Sequence, residues 1–207
     1  MTASASEVHQ LKLAPAVEGV LPAILHRWSP RAFTDREVSA KDLKTIFEAV
    51  RWTASSFNEQ PWRFLVGTRG SDTYKKIHDA LMPFNQMWAG KAPALILGAT
   101  RTKFSHDGSP NRVALFDLGA ASSYLTLQAS VLGIHSHQMA GFDVDAAPKA
   151  FQVPEEYIFG SAIALGYQGD PGSLPVEQMV KQETAARHRK GLAEFVFEEW
   201  DRPAKLA

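Results

Sequence analysis

Between positions 111 and 132 the chain places apolar residues on more than one face of a helix. Val113, Phe116, Ala120, Tyr124, Leu127 and Val131 recur at helical spacing, and so do Leu115, Leu118, Leu125 and Leu132. A helix apolar nearly all round must be covered nearly all round, by its own core or by another subunit. Gly133 stands where a helix C-terminus favours glycine. In a chain of 207 residues such a helix predicts one domain built around it, spanning 1–207.

The other elements alternate around this helix. Helices are predicted over 40–52, from Leu43, Ile46, Phe47 and Val50, and over about 15–26, from Val17, Val20, Leu21, Ile24 and Leu25. Ser39 is the expected N-cap of the former, with Asp42 in the first turn where negative charge is favoured. The stretch 72–82 reads as a short amphipathic helix, and 63–68, 94–99, 133–139 and 158–165 read as strands. Phe195, Val196 and Phe197 suggest a further strand in the tail. Interspersed helices and strands make the class α/β or α+β.

Composition removes several kinds of chemistry. The chain has no cysteine, which excludes disulfides, zinc–thiolate sites, iron–sulfur clusters and thiol nucleophiles. Lys+Arg and Asp+Glu are both 22, which argues against bulk attraction to nucleic acid or anionic membrane. No apolar run approaches the ~20 residues that span a bilayer, and positions 1–10 lack a signal-peptide layout. A cytoplasmic protein is the expectation.

Three local patterns offer chemistry. In Arg27-Trp28-Ser29-Pro30-Arg31-Ala32-Phe33 the proline favours an extended chain, so Arg27, Ser29 and Arg31 share a face and offer two guanidinium forks to an anion. Taken alone, two solvated arginines flanking a turn is the simpler account. In Ser55-Ser56-Phe57-Asn58-Glu59-Gln60-Pro61-Trp62, Pro61 is expected to extend Gln60 and align Ser56, Asn58 and Gln60. Their amides suit a heterocycle edge that alternates N–H and C=O. Arg187-His188-Arg189 gains meaning only if it meets Arg27 and Arg31 in space, where four positive charges would attract a dianion. His135 and His137 lie one strand repeat apart but have no third metal ligand at a suitable spacing. Met82, Met87 and Trp88 read as core or pocket lining.

Taken in order, these patterns resemble the nitroreductase family of FMN-dependent oxidoreductases. Further landmarks are Met139-Ala140-Gly141-Phe142-Asp143 after the long helix and Ala164-Leu165-Gly166-Tyr167 at a strand end. The resemblance implies an α+β three-layer sandwich, with a central, mostly antiparallel sheet flanked by helices. It implies a homodimer with FMN at the interface, the long helix in the dimer core, and a C-terminal arm over about 190–207 reaching across the partner. Arg27, Ser29 and Arg31 then correspond to ligands of phosphate, ribityl and flavin pyrimidine edge, flanked by Trp28, and Arg187 and Arg189 to further phosphate contacts. Ala54, Ser55, Ser56 and Asn58 would come from the partner chain, with Gln60 beside them. Asn85 is similar to an asparagine that meets the flavin ring, and the Gly141 N–H to a donor toward flavin N5. Phe57 and Trp88 would line the substrate pocket.

Three departures from the family pattern bear on reactivity. Ala140 stands where many relatives carry a glutamate, and Trp28 and Trp88 replace smaller or basic residues. The implied activity is ping-pong electron transfer from NADH or NADPH to a nitroaromatic, quinone or similar acceptor. A member acting on activated alkenes or halogenated substrates, and a non-enzymatic flavin-sequestering protein, are the alternatives.

Overall fold

The structure is a computed structural model that describes residues 3–206; positions 1, 2 and 207 of the expected domain lie outside the described residues. Four strands form the central sheet: β1 (Trp62–Thr68), β2 (Ala94–Arg101), β3 (His135–Met139) and β4 (Tyr157–Gly166). Their order is β1-β2-β4-β3, with every neighbouring pair antiparallel. Side chains alternate across a strand, so the two inner strands serve two cores. Leu95 and Leu97 of β2, with Ala162 and Ala164 of β4, face one side. Ala94 and Ile96, with Ile163 and Leu165, face the other.

Helices α3 (Ala40–Arg51) and α6 (Ala114–Val131) cover the second side through Ile46, Val50, Leu118, Ala121, Leu125 and Ala129. Ser39 caps α3 by accepting the Asp42 N–H at 3.0 Å. The first side is covered by α4 (Asp72–Ala80), α5 (Pro83–Ala89), α7 (Ala146–Phe151) and α8 (Glu177–Thr184), through residues such as Ile77, Trp88, Ala147 and Met179. The result is the expected α+β sandwich of three layers.

The long helix buries one flank and leaves another bare. Leu115, Phe116, Tyr124 and Val131 remain exposed, with Gly119 and Ser123 open between them. Among the described residues, no helix is long and apolar enough to cross a membrane.

Several boundaries differ from the sequence reading. The helix expected over 15–26 is a loop followed by the short α2 (Pro22–His26). Gly19 takes φ +78°, and Pro22 holds Leu21 extended at φ −57°, ψ 130°, as proline does to its predecessor. An unforeseen helix, α1 (Ala5–Lys12), starts on a capping box between Ser4 and Glu7. The 72–82 helix ends at Ala80, and α5 starts separately on Pro83 at its first position. In the tail, the strand falls at β5 (Phe197–Glu199), paired with β6 (Arg202–Pro203).

Candidate anion and flavin site

The segment after α2 gathers positive charge. Arg27 leaves the helix in extended conformation, and its Nη2 reaches Ser29 Oγ at 3.4 Å, as the alternation requires. Burial, then the guanidinium charges of Arg187 and Arg189, push the Arg27 pKa down. The tail reaches this segment through Arg187 Nη1, which donates to Leu25 O. The Nε atoms of Arg27, Arg31 and Arg187 are buried without a partner among the described residues. Burying donors without acceptors is costly, so three such donors in one place suit a ligand rich in anionic oxygens.

The arginines are not equivalent. Arg187 donates from Nη1 to Lys12 O at 2.8 Å and Leu25 O at 2.7 Å, tying the tail to α1 and α2. Arg189 is exposed and, among the described residues, bonds only to the neighbouring His188 carbonyl, at 2.7 Å. Arg187 therefore holds the cluster together, and Arg189 is free to turn to a ligand.

A second group of contacts surrounds Gly141. Its carbonyl accepts from Asn85 Nδ2 and from Met82 N–H, both at 2.9 Å, while its own N–H has no protein acceptor among the described residues. A Cβ at Gly141 would lie 2.7 Å from Asn85 Nδ2, so glycine is what lets Asn85 sit there. Ala140 beside it is exposed and brings no charge.

The polar segment 54–60 departs from its expected form. It is not extended: Ser56–Asn58 form a 3₁₀ turn, and Phe57, Asn58 and Gln60 take φ of 53°, 54° and 50°. Pro61 excludes right-handed helix at Gln60, but the chain resolves this with positive φ because Gln60 bonds back into the turn. Its N–H donates to Ser55 Oγ at 2.9 Å and its Nε2 to Asn58 O at 3.1 Å. The side chains of Ser56, Asn58 and Gln60 therefore do not align by strand alternation. Ala54, Phe57 and Asn58 are exposed, and the Ser56 N–H is anchored to Asp117 Oδ2 at 3.2 Å.

Both tryptophans are wall, not surface. Trp88, expected to line the substrate pocket, is 1% exposed. It stacks on Phe33 at 6.4 Å between centroids and meets the His137 ring at 4.6 Å, tilted by 40°. It backs the arginine segment through Arg31, whose guanidinium lies 6.0 Å from its ring. Trp28 is likewise buried, under Lys12 Nζ at 4.9 Å. Neither offers a face to a substrate, because each is enclosed by neighbours on its own chain.

Two histidines behind the arginines stay neutral. Burial, opposed by a bond to Pro30 O at 2.9 Å, pushes the His137 pKa down to about 4. Burial, with His9 and Arg27 nearby, does the same to His135. The unfolded chain takes up these protons near pH 6.5 and the folded chain only near 4. Stability is therefore complete above about pH 6.5 and falls as pH drops toward 4, by roughly 2 kcal/mol per histidine at pH 5. Melting at pH 7.5 and pH 5 should show this loss, and the double variant His135→Gln, His137→Gln should flatten it.

The Nitroreductase family model matches residues 24–84 and 71–167. The chain belongs to the nitroreductase family. Within the family it is 31% identical over 160 residues to an Archaeoglobus fulgidus protein provisionally named NADH dehydrogenase/NAD(P)H nitroreductase, covering 74% of this chain and 88% of that one. A solved structure described as an oxidoreductase containing FMN superposes with a TM-score of 0.83 at 33% identity, over 96% of this chain and 97% of that one. A Desulfovibrio desulfuricans nitroreductase-type structure in complex with FMN gives a TM-score of 0.69 at 25% identity, over 89% and 98%.

The sequence reading missed the residues that support the site. Glu183, Lys12 and Asp117 are each buried, and each bonds main chain of a segment described above or of its immediate support. A lone charged residue in an amphipathic or mixed stretch carries no spacing signature. Only the tertiary contact reveals it.

Proposed function

We propose that this protein is an FMN-dependent oxidoreductase that takes hydride from NADH or NADPH and reduces a nitroaromatic, quinone or similar small acceptor. The observation that carries this reading is the arginine cluster, whose buried Nε donors are unpartnered among the described residues, together with a glycine whose N–H has no acceptor among them. When bound, FMN would supply the redox chemistry as a two-electron carrier between nucleotide and acceptor. The protein supplies binding, orientation and electrostatics.

The residues fit the group. Arg27 and Arg189 hold its phosphate dianion, with the remaining donors of Arg187 beside them. Ser29 meets the ribityl chain and Arg31 the pyrimidine edge. The Gly141 N–H, steadied by Asn85 on its carbonyl, offers a donor where negative charge develops. Ala140 leaves that place without the repulsion a carboxylate would bring. No side chain is needed as a general acid, because solvent protonates the reduced acceptor.

A second copy of the chain completes the site. Asp117 near the start of α6 holds Ser56, while Ser130 near its end bonds Ala23, just before the arginine segment. Thirteen residues of helical rise separate those anchors, about 20 Å. One chain thus carries the two halves at opposite ends of α6. Two chains packed about a two-fold axis through the exposed face of α6 bring one half of each together. Ala54, Ser55, Ser56, Asn58 and Gln60 of one protomer then meet the flavin of the other, with Phe57 against the acceptor. The exposed Phe195, Phe197 and Trp200 lie in an arm that crosses to the partner.

The test is a visible absorption spectrum of the purified protein, repeated anaerobically with NADPH and with NADH. A flavin spectrum that bleaches rapidly supports the reductase. Persistent colour with both nucleotides points to a flavin-sequestering protein. A colourless protein that FMN does not reconstitute overturns the reading.

A further inference from the structure

Glu183 lies in the last turn of α8 and is 1% exposed. Nothing in the helix calls for it there. A carboxylate near a helix C-terminus opposes the macrodipole, and burying a charge is expensive unless it is paired and hydrogen-bonded. Burial pushes its pKa up, opposed by the Ala32 and Arg31 amides and by the charges of Arg31 and Lys12.

The compensation lies in another part of the chain. Glu183 Oε1 accepts the Arg31 N–H at 2.9 Å and the Ala32 N–H at 3.0 Å, and Oε2 lies 3.1 Å from the same Arg31 nitrogen. The last carbonyls around α8 are met by Lys12 Nζ, at 3.1 Å to Gln182 O and 2.5 Å to Ala185 O. On the opposite side, His137 meets the carbonyl of Pro30 at 2.9 Å. The backbone at 30–32 is therefore gripped from two directions by side chains more than 100 positions away. The Arg31 side chain itself has no hydrogen-bond partner at Nε among the described residues.

We propose that Glu183 is a positioning residue that fixes the main chain at Arg31 and Ala32, so that the Arg31 guanidinium is already aimed at the flavin ring edge before FMN binds. The inference rests on the role given to Arg31 above. It separates two functions within one loop: Arg27 answers the phosphate, and Arg31, held by Glu183, answers the ring.

Riboflavin, which has the ring and ribityl chain but no phosphate, distinguishes these functions. Titrating apoprotein with FMN and with riboflavin, Glu183→Ala should weaken both by the same factor, about tenfold or more. Glu183→Gln keeps an acceptor oxygen for the two amides and should recover most of the loss. Glu183→Asp, one methylene short, should not. Hydrogen exchange of the apoprotein should quicken at the Arg31 and Ala32 amides in Glu183→Ala and Glu183→Asp, and be restored in Glu183→Gln. The inference is overturned if Glu183→Ala and Glu183→Asp bind both flavins like the parent, or if only FMN is weakened. It is also overturned if Glu183→Gln loses as much as Glu183→Ala, since charge rather than geometry would then be the cause. A parent protein that binds neither flavin defeats instead the reading on which the inference rests.

Discussion

Arg189→Ala is expected to weaken FMN binding about 10- to 150-fold, with little effect on folding. Arg189 is exposed and among the described residues makes only a local bond to His188 O, so removing it disturbs no packing. A charge-assisted hydrogen bond contributes about 1.5–3 kcal/mol, which sets the range. Riboflavin should bind the variant and the parent alike. Arg187→Ala should behave differently, because its Nη1 also joins Lys12 O to Leu25 O. There, lost affinity should come with a lower melting temperature. Flavin fluorescence quenching and thermal melts on the same samples separate the two cases. Unchanged FMN affinity in Arg189→Ala would remove that residue from the phosphate site.

Trp88→Ala is expected to cost about 3–5 kcal/mol, the range for deleting a large aromatic from a packed core. For a chain of this size that is a fall in melting temperature of about 6–20 °C. The cavity would open between Phe33, His137 and the segment that carries Arg31, so flavin affinity should fall with stability. Trp88→Phe keeps much of the volume and discards an indole N–H that has no partner among the described residues, and it should be tolerated far better. If Trp88→Ala melts like the parent while acceptor turnover changes, the residue lines the substrate pocket after all.

The strands and the two large helices were legible because their residues follow one period over a long enough run. The double burial of β2 and β4 shows in the unbroken apolar runs 94–97 and 162–165. Short elements escaped for reasons that are equally physical. Helix α1 depends on a capping box and on contacts with α8 rather than on a strong apolar stripe. The helix expected at 15–26 had the right spacing, but Pro22 interrupts it. At the site, the approach of Arg187 and Arg189 to Arg27 could be anticipated as charge seeking an anion. The turn at 55–60 could not, because Gln60 chooses its backbone through bonds to Ser55 and Asn58 rather than through the proline that follows it. Trp88 shows the limit of residue type as a guide: an aromatic near a site is as useful behind it as inside it.

The contacts that close the arginine site also fix when it can form. Arg31 meets Glu183 across 152 positions, Lys12 meets Ala185 across 173, and Arg187 meets Lys12 across 175. Closing such loops costs entropy that is recovered only once both ends are present. All four strands of the central sheet are in hand once Gly166 has been made, yet at that point the loop is held through His137 and still lacks Glu183 and the tail arginines. During synthesis the scaffold is thus available well before the pocket, and cofactor capture belongs to the closing stage of folding.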